Sequence, residues 1–83
     1  MDIKKYQTPE GYCIIKSNTY CHSIEYINKL KQIAKQDFPN LKDSEISVKV
    51  YNDDRWGKQT GIEFKGNLNN SYQQITRLPY TFN

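Results

Sequence analysis

Along the first half of the chain, hydrophobic residues recur at threes and fours. Tyr20, Ile24, Ile27, Leu30, Ala34 and Phe38 follow this spacing, which at 100° per residue gathers them into one arc of a helix. Tyr26 and Ile33 widen the arc. Glu25, Lys29, Gln32 and Gln36 take the opposite side, with Glu25 and Lys29 at the favourable i,i+4 separation. The spacing predicts a helix over residues 20–37. Ser17, Asn18 and Thr19 are all residue types that cap a helix start, and one of them is expected to do so. Pro39 closes the helix, because the residue before a proline avoids helical backbone angles.

Beyond Pro39 the period changes to two. Ile46, Val48 and Val50 alternate with Ser47, Lys49 and Tyr51, so a strand over residues 45–51 is expected to turn the first set inward and the second outward. Residues 58–65 repeat the pattern, with Ile62 and Phe64 inward and Glu63 and Lys65 outward. Upstream, residues 11–17 (Gly-Tyr-Cys-Ile-Ile-Lys-Ser) follow a Pro-Glu-Gly breaker and read as a first strand. Residues 66–71 form a second turn cluster, and residues 72–77 are a candidate fourth strand. The tail from Leu78 is an extension or a frayed end. The predicted order is β-α-β-β-(β): a single α+β domain over residues 1–83, one helix across a small antiparallel-rich sheet.

Composition changes this picture little. The 83 residues are 36% hydrophobic and 25% charged, which suits one globular domain with a small core. Seven tyrosines raise the aromatic share to 13%, and tyrosine serves both small cores and binding surfaces. The net charge of +3 falls short of the basic footprint of a dedicated nucleic-acid binder. It also argues against mimicry of DNA by surface carboxylates. The N-terminus passes from Lys4-Lys5 to polar residues and Pro9 without an apolar run. This predicts neither a signal peptide nor a membrane span, and a cytoplasmic location. Cys13 and Cys21 fit that compartment as free thiols, a bridge between them being expected only of an exported chain.

No active-site motif is visible. Cys13, Cys21 and His22 are metal-binding residue types without metal-binding spacing, since adjacent helical residues point about 100° apart and cannot share one ion. The same residues lack a recognisable oxyanion hole or orienting group for a Cys-His nucleophile. Asp53 and Asp54, with Glu63 beyond them, read as turn formers rather than an acid-base pair or a divalent-ion site. No cofactor is expected.

Two binding surfaces stand out instead. The loop Asn52-Asp53-Asp54-Arg55-Trp56-Gly57 holds the only tryptophan. In such a loop Trp56 is either a cap on the domain's own core or an anchor for a partner's pocket. Arg55 beside it favours the second role, because Trp and Arg dominate interface energies. Asp53, Asp54, Arg55 and Trp56 are therefore the expected protein-binding residues. Lys49, Tyr51 and Lys65, extended by Lys16 and Tyr12, place cations among aromatics on one sheet face, the alternative surface for nucleic acid. Glu63 sits within that patch, and no RNP-like signature accompanies it.

The leading expectation is a non-enzymatic module that occupies a partner protein's surface. Its size, and a lysine- and asparagine-rich usage typical of AT-rich genomes, suggest a phage- or mobile-element-encoded inhibitor of anti-CRISPR-like character, by analogy alone.

Overall fold

The computed structural model describes residues 2–53, 57–75 and 81–82. It shows one helix packed on a mixed, mostly antiparallel sheet, the α+β class that the hydrophobic periods predict. The strands are β1 (Lys4–Gln7), β2 (Tyr12–Lys16), β3 (Ser47–Asp53), β4 (Gly57–Lys65), β5 (Gln73–Gln74) and β6 (Thr81–Phe82). The helix α1 (Ile24–Asp37) joins β2 to β3 through a one-turn 3-10 helix, Asp43–Glu45. Across the sheet the order is β5-β1-β2-β4-β3-β6. Every pairing is antiparallel except β1 with β5.

The predicted order lacks β1. This strand carries Lys-Lys-Tyr-Gln, too polar for a period to show, and it forms by pairing Lys4–Gln7 against Cys13–Lys16. The expected fourth strand is reduced to the two residues of β5, which run parallel to Tyr6 and Gln7. Residues 76 and 77 of that expectation lie outside the described residues, as do 78–80 and 83 of the tail.

Helix α1 also starts later than its period suggests. Ser23, not Ser17, Asn18 or Thr19, is the N-cap, its Oγ accepting from the Tyr26 amide at 3.2 Å. The intervening segment spends its backbone on β4: Thr60 N donates to Thr19 O (2.8 Å), and Cys21 N donates to Thr60 Oγ1 (3.0 Å). Backbone groups bonded sideways to a sheet are unavailable for a helical turn. Tyr26 secures the junction, donating to Thr60 O at 2.9 Å and sharing a 2.6 Å hydrogen bond with Ser17. At the other end Phe38 N donates to Ala34 O, and Pro39 follows as expected.

The main core lies between helix and sheet. Ile27, Leu30 and Ala34 bury against Cys13, Ile15, Ile62 and Phe64, with Tyr26 and Tyr72 completing the cluster. Phe38 closes it edge-on to Phe64 (5.4 Å) and Tyr72 (5.7 Å). Gly66 makes room, since a Cβ there would stand 2.9 Å from the Phe38 ring. Tyr20 and Ile24, expected on the buried arc, are instead exposed at 55% and 77%. Val48 also faces the helix side, opposite Ile62, yet is 43% exposed. The helix packs on β2 and β4, which leaves β3 at the margin.

Part of the opposite face of the sheet is buried too. Tyr6, Ile14 and Tyr51 form a second cluster there, and Lys16 and Gln59 are buried beside it. This corrects the expected outward, solvated position of Tyr51. The parity assignment holds, but its face is covered. Gly61 sits in that face opposite both Lys16 and Lys49, and a Cβ there would meet Ile15 O and Lys16 Cβ at 2.8 Å and Tyr51 Cε2 at 3.0 Å. A glycine inside a strand marks such a close approach.

Candidate functional site

The β3–β4 hairpin is longer than its sequence suggests. Pairing continues to Asp53 opposite Gly57, which leaves three positions, 54–56, between the strands. Gly57 has φ +76°, a left-handed conformation that favours glycine. Asp54, Arg55 and Trp56 lie outside the described residues. Asp53 is the last described residue of β3. Glu63 stands six positions along β4 from Gly57, about 20 Å at strand rise, so the hairpin end and Glu63 do not form one acidic site.

Around the hairpin's base, an exposed strip forms from residues that the helix prediction had assigned elsewhere. The tether of residues 19–21 to Thr60 holds Tyr20 over β4, where the Lys58 ammonium lies 5.7 Å from its ring centroid. Lys58 is the residue after Gly57. His22 meets Tyr20 edge-on at 5.1 Å, and exposed Ile24 follows the cap. Aromatic, imidazole, aliphatic and ammonium groups thus lie toward the end of the sheet where Asp53 pairs with Gly57. The signal for this strip was present in the sequence as Tyr20 and Ile24, but the helical period assigned them to the core.

The Lys/Tyr face is divided. Register places Lys16, Lys49 and Tyr51 on one face with Lys65 and Tyr12, as expected. Tyr51 and Lys16 are nevertheless buried, Lys49 is half-buried, and Lys65 is exposed with its ammonium 5.6 Å from the Tyr12 ring centroid. Lys16 Nζ donates to Gln59 Oε1 at 2.5 Å and stands 5.9 Å from the Tyr6 ring centroid. Burial pushes the Tyr51 hydroxyl above its ordinary range, with Glu63 adding to the effect. Neither buried side chain is presented for stacking on a base.

The thiols are separate. Cys13 lies in the main core, and burial pushes it up to about 11 despite the Gln7 amide at 3.4 Å. Cys21 is half-buried, and its hydrogen bond with Ser23 lowers it. Both are free, and no group of three metal-ligating side chains occurs among the described residues. No described helix is long and apolar enough to cross a membrane.

A cleft of about 530 Å³ opens at the far end of the molecule, between the end of α1 and the loop after β4. Its charged groups are already engaged. Asp37 accepts from Lys5 Nζ at 2.8 Å and from the Tyr72 hydroxyl at 2.9 Å. Glu45 accepts from the Lys42 amide at 2.9 Å, and Phe38 and Leu41 add apolar lining. This arrangement stabilises the helix end and offers no nucleophile-base pair. Comparison with models of protein families, with characterised proteins and with solved structures found no match to this chain.

Proposed function

We propose that this chain is a non-enzymatic protein-binding module acting inside the cell by occupying a partner's surface. The observation that carries this reading is the exposed strip of Tyr20, His22, Ile24 and Lys58 beside the hairpin. It adjoins the sequence positions of Asp53, Asp54, Arg55 and Trp56, which supply the residue types that anchor interfaces. An exposed aromatic-aliphatic surface rimmed by cations is an ordinary design for protein recognition. The phage-encoded, anti-CRISPR-like inhibitor role extends this reading by analogy of size and composition.

Pull-down from the native host with the full chain, followed by mass spectrometry, tests it. A partner retained by the wild type should be lost or weakened by about 2 kcal/mol or more in Trp56→Ala and in Tyr20→Ala. The Tyr20 variant should keep its thermal stability, because that ring is largely exposed. Trp56→Ala also separates the two roles of the tryptophan, since a core cap would cost about 3 kcal/mol or more in folding stability. A partner held equally by all three proteins, or an oligonucleotide shifted at physiological salt in place of any protein, sinks the reading.

A further inference from the structure

Among the described residues the sheet's outermost strands span two residues each, so each leaves part of its neighbour's outer edge without a described strand partner. β5 meets β1 at Tyr6 and Gln7, leaving Lys4 and Lys5. β6 meets β3 at Tyr51 and Asn52, leaving residues 47–50. These two open stretches differ in kind. The first carries two adjacent lysines, a usual guard against unwanted pairing. The second reads Ser-Val-Lys-Val and pairs with β4 in unbroken register, with neither proline nor bulge. Val48 on it is 43% exposed. A regular valine-bearing edge of this kind is a template for another strand.

The surroundings give that strand a charge. On α1, Ile24, Asn28, Lys31 and Lys35 follow at four, three and four, which aligns them in one stripe. Lys35 pairs with Asp43, the first residue of the one-turn helix that leads through Ile46 into β3. The stripe therefore flanks the β3 side of the sheet. Lys31 also acts on Asp43, whose carboxyl is held below its ordinary range chiefly by Lys35. On the sheet's other face Lys49 stands at the edge itself, while Glu63 lies one strand further in, opposite Ser47. A strand added beside β3 would thus have Lys31 toward one face and Lys49 toward the other.

We propose that residues 47–50 of β3 receive an extended acidic segment of a partner protein as a further strand of the sheet. Its alternate residues are apolar toward Val48 and Val50, and a carboxylate lies opposite Lys49. A second copy of this chain fits less well, because it would bring Lys31 and Lys49 of both molecules to one seam. Like charges across paired strands are destabilising. The inference rests on the reading of the chain as a protein-binding module and names the element by which the partner docks.

The test uses the full ¹⁵N-labelled chain and two short synthetic peptides, one alternating Val with Glu and one alternating Val with Lys. Each is N-methylated along one edge to prevent self-assembly. The acidic peptide should shift the amides of residues 47–50 and slow their hydrogen exchange by about tenfold or more, while the basic peptide should not. Lys49→Glu should weaken the acidic peptide about tenfold without changing thermal stability. Shifts at Lys4 and Lys5 instead, equal response to both peptides, no response, or concentration-dependent shifts of residues 47–50 without peptide would each overturn the proposal. In a host pull-down, a partner held equally by wild type and by this variant overturns the edge and leaves the protein-binding reading standing. Absence of any captured protein, with the peptide response intact, supports the edge and removes that reading.

Discussion

Gly61 has no side chain, and its neighbours depend on that. A methyl group there would press on the Ile15 carbonyl and on Lys16 Cβ at 2.8 Å, neither of which is the free end of a flexible group. Gly61→Ala should therefore destabilise the fold by about 1–3 kcal/mol, read as a lower urea midpoint. Gly57→Ala meets no neighbouring atom and should cost only the strain of its positive φ, about 1 kcal/mol. The two cysteines make a second contrast. Cys21 is partly exposed with its thiol lowered, and Cys13 is buried with its thiol raised to about 11. Because the thiolate is the reactive form, iodoacetamide at neutral pH should modify Cys21 alone in the native protein. Modification of Cys13 should wait for denaturant, a difference that mass spectrometry of the intact chain would resolve. Equal rates at both positions would contradict the placement of Cys13.

At the scale of elements, α1 shows what a hydrophobic period can and cannot decide. Ile27 is buried in the main core and Ile24 is 77% exposed, although both fall on the same predicted arc. Ile27→Ala should cost about 2–4 kcal/mol, and Ile24→Ala less than about 0.5 kcal/mol, in chemical denaturation of each variant. Similar losses would mean that the helix docks differently. The arc was legible because only one helical face meets a sheet. Its first turn was not, because Thr60, forty residues away, draws the backbone of Thr19 and Cys21 out of the helix. The burial of β3 was misread for a related reason. Alternation reports two sides but not which is covered: Val48, on the helix side, is 43% exposed, whereas Tyr51, on the other, is buried with Tyr6 and Ile14. Strand β1 escaped notice altogether because Gln7 is buried through bonds rather than hydrophobicity: its amide donates to Gly66 O and Asn67 O and accepts from Asn69 N and Gln74 Nε2. Of the candidate site, the hairpin's chemistry was visible in the run Asp53 to Trp56. The neighbouring Tyr20 strip became visible only once the helix start had moved.

The whole molecule responds to pH through groups that burial keeps protonated. Cys13 rises from 9.0 to about 11. Tyr51 and Tyr72 are both pushed above their ordinary 10.0, chiefly by burial, with Asp37 adding to the effect at Tyr72. All three pKa values are higher folded than unfolded, so the unfolded chain loses these protons first as pH rises. The stability tied to them is complete below about pH 9 and is lost progressively above it. The urea midpoint should fall from pH 9 toward 11, and Tyr72→Phe should flatten that decline. A midpoint constant over this range would mean that these groups are not shielded.

The sheet order also governs how this chain reaches its native state. Strand β1 pairs with β5 by joining Tyr6 to Gln73, and β2 pairs with β4 by joining Tyr12 to Lys65. The β1–β2 and β3–β4 hairpins and α1 form between near neighbours. The two middle strands of the sheet therefore come from opposite halves of the chain, and their meeting closes a loop of some fifty residues. Loop closure of that length must precede the contacts that reward it. Refolding from denaturant is accordingly expected in milliseconds to seconds rather than microseconds, with the two hairpins and the helix waiting for β2 and β4 to find each other.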